Sequence, residues 1–204
     1  MKKIQSTLFA FVIAVVAIAI AAPVLALDIG EKAPKTDVEM KNAVGEAVSI
    51  SDVAGENGTL VIFSCNSCPW VQAWEERIVE MGNSFQDKGV GVILINSNDP
   101  EQKPADSFSA MKKRADEKGY DFPYVMDETS DVARAFDATR TPEAFLFNAS
   151  GELVYHGTID DNAHNPKEVE EQYLKTALEA VVNGKEVPQK KTKALGCTIK
   201  FREA

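Results

Sequence analysis

Two of the chain's three cysteines, Cys65 and Cys68, stand two residues apart in LVIFSCNSCPW, residues 60–70, at the end of an apolar run. That spacing suits three chemistries: a structural disulfide, half of a metal site, or a dithiol that cycles between reduced and oxidised forms. A disulfide closing so short a loop removes little entropy from the unfolded chain, so its structural value is small. A closed zinc site needs four Cys or His ligands, and the remaining candidates, Cys197, His156 and His164, are scattered with no second paired spacing. A copper site of two cysteines and a histidine needs fewer, softer ligands and stands as an alternative. The working dithiol is the favoured reading. At a strand-to-helix junction the unpaired N–H groups and the helix dipole lower a thiol's pKa below its free value of about 8.5. Cys65, the N-terminal and more exposed sulfur on this reading, becomes the attacking thiolate, and Cys68, one turn on, resolves the mixed disulfide. Pro69 fits the first helical turn, where a missing N–H costs little. Thiol exchange of this kind asks for no cofactor and no metal.

The elements that must position the pair are legible along the chain. TLVIFS is a continuous apolar run of strand length, as in a central strand covered on both faces. After the cysteines, Val71, Trp74, Ile78, Met81 and Phe85 recur at helical spacing up to Lys88-Gly89. VGVILINSN reads as a second buried strand, DPEQKP as a loop, and DSFSAMKKRADEKG as a helix ended by Gly119. FPYVMD is strand-like, SDVARAFDA a short helix capped by Ser130 or Asp131, and EAFLFNASGELVYHG a hairpin turning at Ser150-Gly151. NPKEVEEQYLKTALEAVVNGK predicts one helix with Asn165 as cap, Pro166 at its first position, Val169, Tyr173, Ala177 and Val181 inward, and Gly184 at its end. Near the N-terminus Val38 and Met40, then Val48 and Ile50, alternate about Gly45 like a hairpin, and the tail EVPQKKTKALGCTIKFREA has no clear periodicity. This order predicts an α/β fold, a central mixed sheet flanked by helices with an N-terminal hairpin, in a thioredoxin-like layout.

At 204 residues, 45% hydrophobic and 26% charged, the composition is that of a globular chain with one sizeable domain. The net charge of -9 leaves no electrostatic footprint for nucleic acid. The first residues, Lys2 and Lys3 followed by an uncharged apolar stretch and the small-residue site Val24-Leu25-Ala26, have the layout of a secretory signal over 1–26. The run from Ile4 to Leu27 is also long enough for an uncleaved membrane anchor by the rule of roughly 20 apolar residues. Cleavage is favoured by Pro23 before the small site and by the lack of a basic cluster after it. In either case the rest, a domain over 27–184 and a tail over 185–204 carrying Cys197, is expected to be exported to a periplasmic or other extracytoplasmic space. A membrane contact is expected only if the leader stays. That compartment permits disulfides, and three cysteines leave one thiol over in any intramolecular pairing.

The segments FSCNSCPWV, DSFSAMKKRADEKGYDFPYVMDETSDVARAFDATRTPEAFLFNASGELVYHGTIDD and ALGCTIKF resemble the peroxiredoxin-like branch of the thioredoxin superfamily. These are redoxin-domain proteins of the alkyl hydroperoxide reductase and thiol-specific antioxidant type, and the resemblance covers nearly all of the chain after the leader. It implies that Pro142, in RTPEAF, is a cis-proline facing the dithiol and that Thr141 presents backbone to a bound substrate; a trans proline opening an edge strand is the alternative. His156 is expected to be a surface or strand histidine, and Asp160 and Asp161 solvated turn residues. Relatives carry a histidine where this chain has Ser67, which implies a milder potential here, and Ser64 replaces the tryptophan of thioredoxin itself. Arg140 before the Thr-Pro pair either lies near the sulfurs or pairs with a surface acid.

The expected function is an exported thiol-disulfide oxidoreductase working through Cys65 and Cys68, with protein or small-molecule thiols and disulfides as substrates and a separate redox partner. Cys197 is either an inert thiol or a relay or resolving thiol reached by a folded-back tail. A thiol peroxidase acting on peroxides is the second reading. It is disfavoured because Ile62 stands where peroxiredoxins have a threonine three residues before the cysteine, and NGTLVIFSC has no proline. A non-enzymatic copper- or thiol-binding module on the same fold is the third.

Overall fold

The computed structural model describes residues 27–203, and the leader expected over 1–26 lies outside the described residues. Among the described residues no helix is long and apolar enough to cross a membrane. The apolar run before the cysteines forms β2 (Gly58–Phe63), with every residue buried. It pairs in parallel with β3 (Val90–Asn96) and antiparallel with β6 (Glu143–Asn148). Outside β3 lies β4 (Tyr124–Met126), parallel to it, and outside β6 lies β7 (Leu153–Gly157), antiparallel. With β1 (Lys41–Asn42) antiparallel to β4, the mixed sheet has the order β1-β4-β3-β2-β6-β7. A separate ladder joins β5 (Arg140–Thr141) to β8 (Cys197–Thr198). The helices are α1 (Pro69–Gln86), α2 (Phe108–Lys118), α3 (Asp131–Ala135) and α4 (Tyr173–Val182).

Successive strand residues point to opposite faces, so a strand that is apolar at every position builds two cores at once. Leu60, Ile62, Val92, Leu94 and Leu146 pack with Trp74 and Ile78 of α1, Met111 of α2 and Leu174 and Leu178 of α4. Val61, Phe63, Ile93, Ile95 and Phe145 pack on the other face with Val132 of α3 and Phe136. This is why β2 and β3 lack the polar alternation of a one-sided sheet. Their ends are consequently rigid, and the cysteines follow directly on one of them.

Three expectations are revised. The hairpin about Gly45 is reduced to one bridge between Met40 and Val48, because Lys41 and Asn42 instead add to the free edge of β4 and the Asn42 side chain accepts the Tyr124 N–H at 3.2 Å. The single helix expected from Pro166 is a 3-10 turn over Pro166–Glu168, a break, and then α4. Asp161 makes the break: its N–H donates to Glu171 O at 3.2 Å and its carboxylate accepts from the Glu170 N–H at 3.2 Å. The aperiodic tail is ordered, running along β7 through Lys191 and Thr192 before forming β8. Its docking needs two glycines, since a Cβ on Gly157 would lie 1.9 Å from Thr192 Oγ1 and one on Gly196 would lie 2.2 Å from Thr141 O.

Candidate functional site

β2 ends at Phe63, the chain turns through Ser64–Ser67, and Cys68 is the N-cap of α1, with Pro69 at the first helical position. Pro69 begins the helix at no hydrogen-bonding cost, and Val71, Trp74, Ile78 and Phe85 bury one face of α1 to fix its axis. Behind it, the buried Glu75 carboxylate accepts from Arg114 Nε at 2.6 Å and Nη2 at 2.9 Å and from Tyr120 OH at 3.0 Å, and pairs with Lys118 at 3.1 Å. That network braces α1 against α2.

The site residues expected from the sequence come together. Cys65 Sγ lies 3.3 Å from Thr141 Oγ1, and Cys68 Sγ lies 3.0 Å from the Thr141 carbonyl. The Thr141–Pro142 peptide is cis. Cys197, opposite Thr141 in the β5–β8 ladder, packs against Cys65, Cys68 and Val71 together with Trp70. The histidines and Asp160 are not part of this cluster. His156 Nε2 lies 2.7 Å from Glu143 Oε1 and its ring stacks on Phe145, while His164 stands beside Trp70 at 5.2 Å between ring centroids. Asp160 is buried rather than solvated, holding Trp74 Nε1 at 2.7 Å and ion-paired with Arg77. Asp161 is exposed, as expected. Arg140 is exposed, and its guanidinium donates to the Gly196 carbonyl at 3.4 Å.

Two buried carboxylates that sequence reasoning passed over shape the site. Asp106, with no exposure, accepts from the N–H groups of Asn66 and Ser67 at 2.7 and 2.9 Å, from Ser67 Oγ at 2.7 Å and from Asn98 Nδ2 at 2.8 Å. It thus clamps the two residues between the cysteines. Glu143 accepts the N–H groups of Thr139 and Arg140, both at 2.8 Å, and holds the loop that carries Thr141. Asp106 opens the segment that reads as a helix ended by Gly119, and Glu143 opens one that reads as a hairpin strand. Nothing local marks either as a clamp.

The expected electrostatics are revised. Cys65 is not the exposed sulfur: it and Cys68 are each 2% exposed. The proton the pair shares favours Cys65, whose pKa is raised by its hydrogen bond to Cys68, by burial and by the negative charge of Asp106. Cys68 is shifted below the ordinary thiol range, first by the Cys65 thiol pointing at it and then, against burial, by the Cys197 thiol and the Val71 amide at the start of α1. The Thr141 carbonyl, which can only accept from a protonated Cys68, opposes part of that shift. The Cys197 thiol is raised, chiefly by burial. Helix-terminal stabilisation of a thiolate therefore acts on the N-cap sulfur, one turn later than its spacing suggested. Among the described residues no group of three His, Cys, Asp or Glu is placed to hold a metal ion.

The chain is similar to the thiol-disulfide oxidoreductase ResA of Halalkalibacterium halodurans, at 25% identity over 56% of this chain and 61% of that protein, so it matches less than two thirds of the relative's length. Its structure is similar to that of an uncharacterised conserved protein from Geobacillus kaustophilus, with a TM-score of 0.81, 38% identity and coverage of 87% of this chain and 94% of the other. It is also similar to a thioredoxin-like protein solved in its oxidised form, at 19% identity with a TM-score of 0.60, covering 78% of this chain and 97% of that one; this likeness shows the thioredoxin-like fold. The AhpC/TSA family model matches residues 29–156. Because that match runs through the strand that ends at the cysteine pair, its neighbouring strands and the loop bearing Thr141 and Pro142, the chain belongs to the AhpC/TSA family.

Proposed function

We propose that this protein is an exported thiol-disulfide oxidoreductase whose redox pair is Cys65 and Cys68. The observation that carries the reading is the meeting of both sulfurs with Thr141 at a strand end and a helix N-terminus. Similarity to an enzyme of that activity supports it, and the leader over 1–26 supports export. A thiolate of the pair attacks one sulfur of an external disulfide, whose S–S bond breaks and whose other half leaves as a thiolate and takes up a proton. The second cysteine then attacks the pair's own sulfur in the mixed disulfide, expelling the remaining half. Two electrons and two protons pass from the dithiol to the substrate, and the same steps in reverse oxidise an external dithiol.

Thr141 and Pro142 form the wall against which the chain's own sulfurs are aligned, and Glu143 keeps that wall in place. The experiment is the rate of exchange between reduced protein and oxidised glutathione or insulin. The wild-type chain accelerates it, and the Cys65→Ser/Cys68→Ser chain falls to the rate of a generic thiol, a loss of at least about 100-fold on the scale of one missing nucleophile. A double variant that still exchanges at the wild-type rate would overturn the reading. Peroxide consumption by wild type faster than by a generic thiol would promote the peroxidase reading in its place.

A further inference from the structure

Of the three sulfurs, the one that solvent reaches is Cys197. It is half-buried, whereas Cys65 and Cys68 are sealed beneath it. Its position is set by backbone: Arg140 pairs with Thr198 and Thr141 with Cys197, and the Ile199 N–H donates to Thr139 O at 3.0 Å. Antiparallel partners stand about 4.5–5.5 Å apart at Cα, so the register itself delivers the third sulfur to the residue that touches the other two. A slip of one residue would turn Cys197 to the opposite face. The approach is as close as Gly196 allows.

The tail is pinned on the far side as well. The Lys200 N–H donates to Asn98 Oδ1 at 2.8 Å, the Asp99 N–H to Lys200 O at 2.7 Å, and the Arg202 N–H to Ser130 Oγ at 3.1 Å. Ile199 is buried in the sheet's second core. Asn98 also holds Asp106, so one side chain links the tail to the clamp between the cysteines. Cys197 is therefore held as a neighbour of the buried pair, where its thiol acts on that of Cys68. β5 is met by β8 in the way an extended peptide adds to an exposed edge, which puts a cysteine of the chain itself where an incoming substrate strand would lie.

We propose that Cys197 is a relay thiol that exchanges with Cys68 and carries the disulfide between the buried pair and solvent. The proposal rests on the thiol-disulfide reading above. In the oxidised protein the Cys197 thiolate attacks Cys68 Sγ; a Cys68–Cys197 bond forms, the Cys65–Cys68 bond breaks, and Cys65 leaves as a thiolate that takes up the proton Cys197 gave. No electron is gained or lost in this step. An external thiol then attacks Cys197 at the surface, Cys68 leaves as a thiolate, and a second external thiol resolves the mixed disulfide, giving an external disulfide and free Cys197. Two electrons from two external thiols end on Cys65 and Cys68, and the reverse sequence oxidises the pair. Tethering makes the internal step effectively unimolecular.

The test treats the full reduced chain with oxidised glutathione, quenches with acid, alkylates, and maps disulfides on unreduced peptides. The Cys65→Ser chain is expected to accumulate a Cys68–Cys197 disulfide. The Cys197→Ser and Cys197→Ala chains are expected to reach the Cys65–Cys68 disulfide at least about tenfold more slowly than wild type. A Cys65→Ser chain that stops at glutathione adducts without a Cys68–Cys197 bond, or Cys197 variants that exchange at the wild-type rate, would overturn the relay while leaving the oxidoreductase in place. A wild-type chain that never forms the Cys65–Cys68 disulfide overturns both.

Discussion

Around Cys65 and Cys68 the chain places two buried carboxylates on backbone N–H groups rather than on sulfur. Asp106 occupies the amides of Asn66 and Ser67, donors that would otherwise be free to stabilise a thiolate in the turn, and its charge adds to the burial that keeps Cys65 protonated. Both effects hold the proton on Cys65 and oppose its ionisation. The Asp106→Asn chain is therefore expected to ionise Cys65 at a lower pH than wild type. It is also expected to be less stable by about 1–3 kcal/mol, because the amide cannot satisfy every donor of the clamp. The pH dependence of Cys65 alkylation reads the first and denaturant unfolding the second; lowered stability with an unchanged alkylation profile would reduce Asp106 to a structural clamp. At this scale the cysteine pair was legible in the sequence because its spacing and its place after an apolar run are local, and Thr141 and Pro142 through family resemblance. Asp106 and Glu143 were not legible, since a carboxylate acts as a clamp only when the fold brings distant amides to it.

Strands β2 and β3 and helix α1 follow from short-range pattern, and the structure agrees with them to within a residue or two. The elements that differ are those decided by a distant partner. Asp161 breaks the predicted helix before α4, and the edge of β4 claims half of the N-terminal hairpin. The tail is the largest difference, because a two-residue strand has no periodicity to detect, and its order comes from β5, β7 and Asn98. Its docking hinges on Gly196. In the Gly196→Val chain the added atoms meet the Thr141 carbonyl, so the tail is expected to lift and alkylation of Cys65 and Cys68 by iodoacetamide to speed up at least about tenfold with β2 and α1 intact. Peptide-resolved mass spectrometry measures this. Unchanged protection of both sulfurs would mean that β2, α1 and the Thr141 loop seal the pair without the tail.

For the whole molecule, a net charge of -9 gives no electrostatic footprint for a phosphate backbone. The mixed sheet carries α1, α2 and α4 on one face and α3 on the other, and leaves the strand-end loops to gather Cys65, Cys68, Thr141 and Cys197 from segments far apart in sequence. Family membership agrees with that arrangement without fixing the reaction, which has to be read from the sulfurs. The most direct measurement is a redox titration of the Cys197→Ser chain against glutathione, with the disulfide mapped at each point. A single two-electron couple whose oxidised form links Cys65 to Cys68 is the expected result. Two sulfurs that stay unlinked across the whole range, or that collect only glutathione adducts, would contradict it.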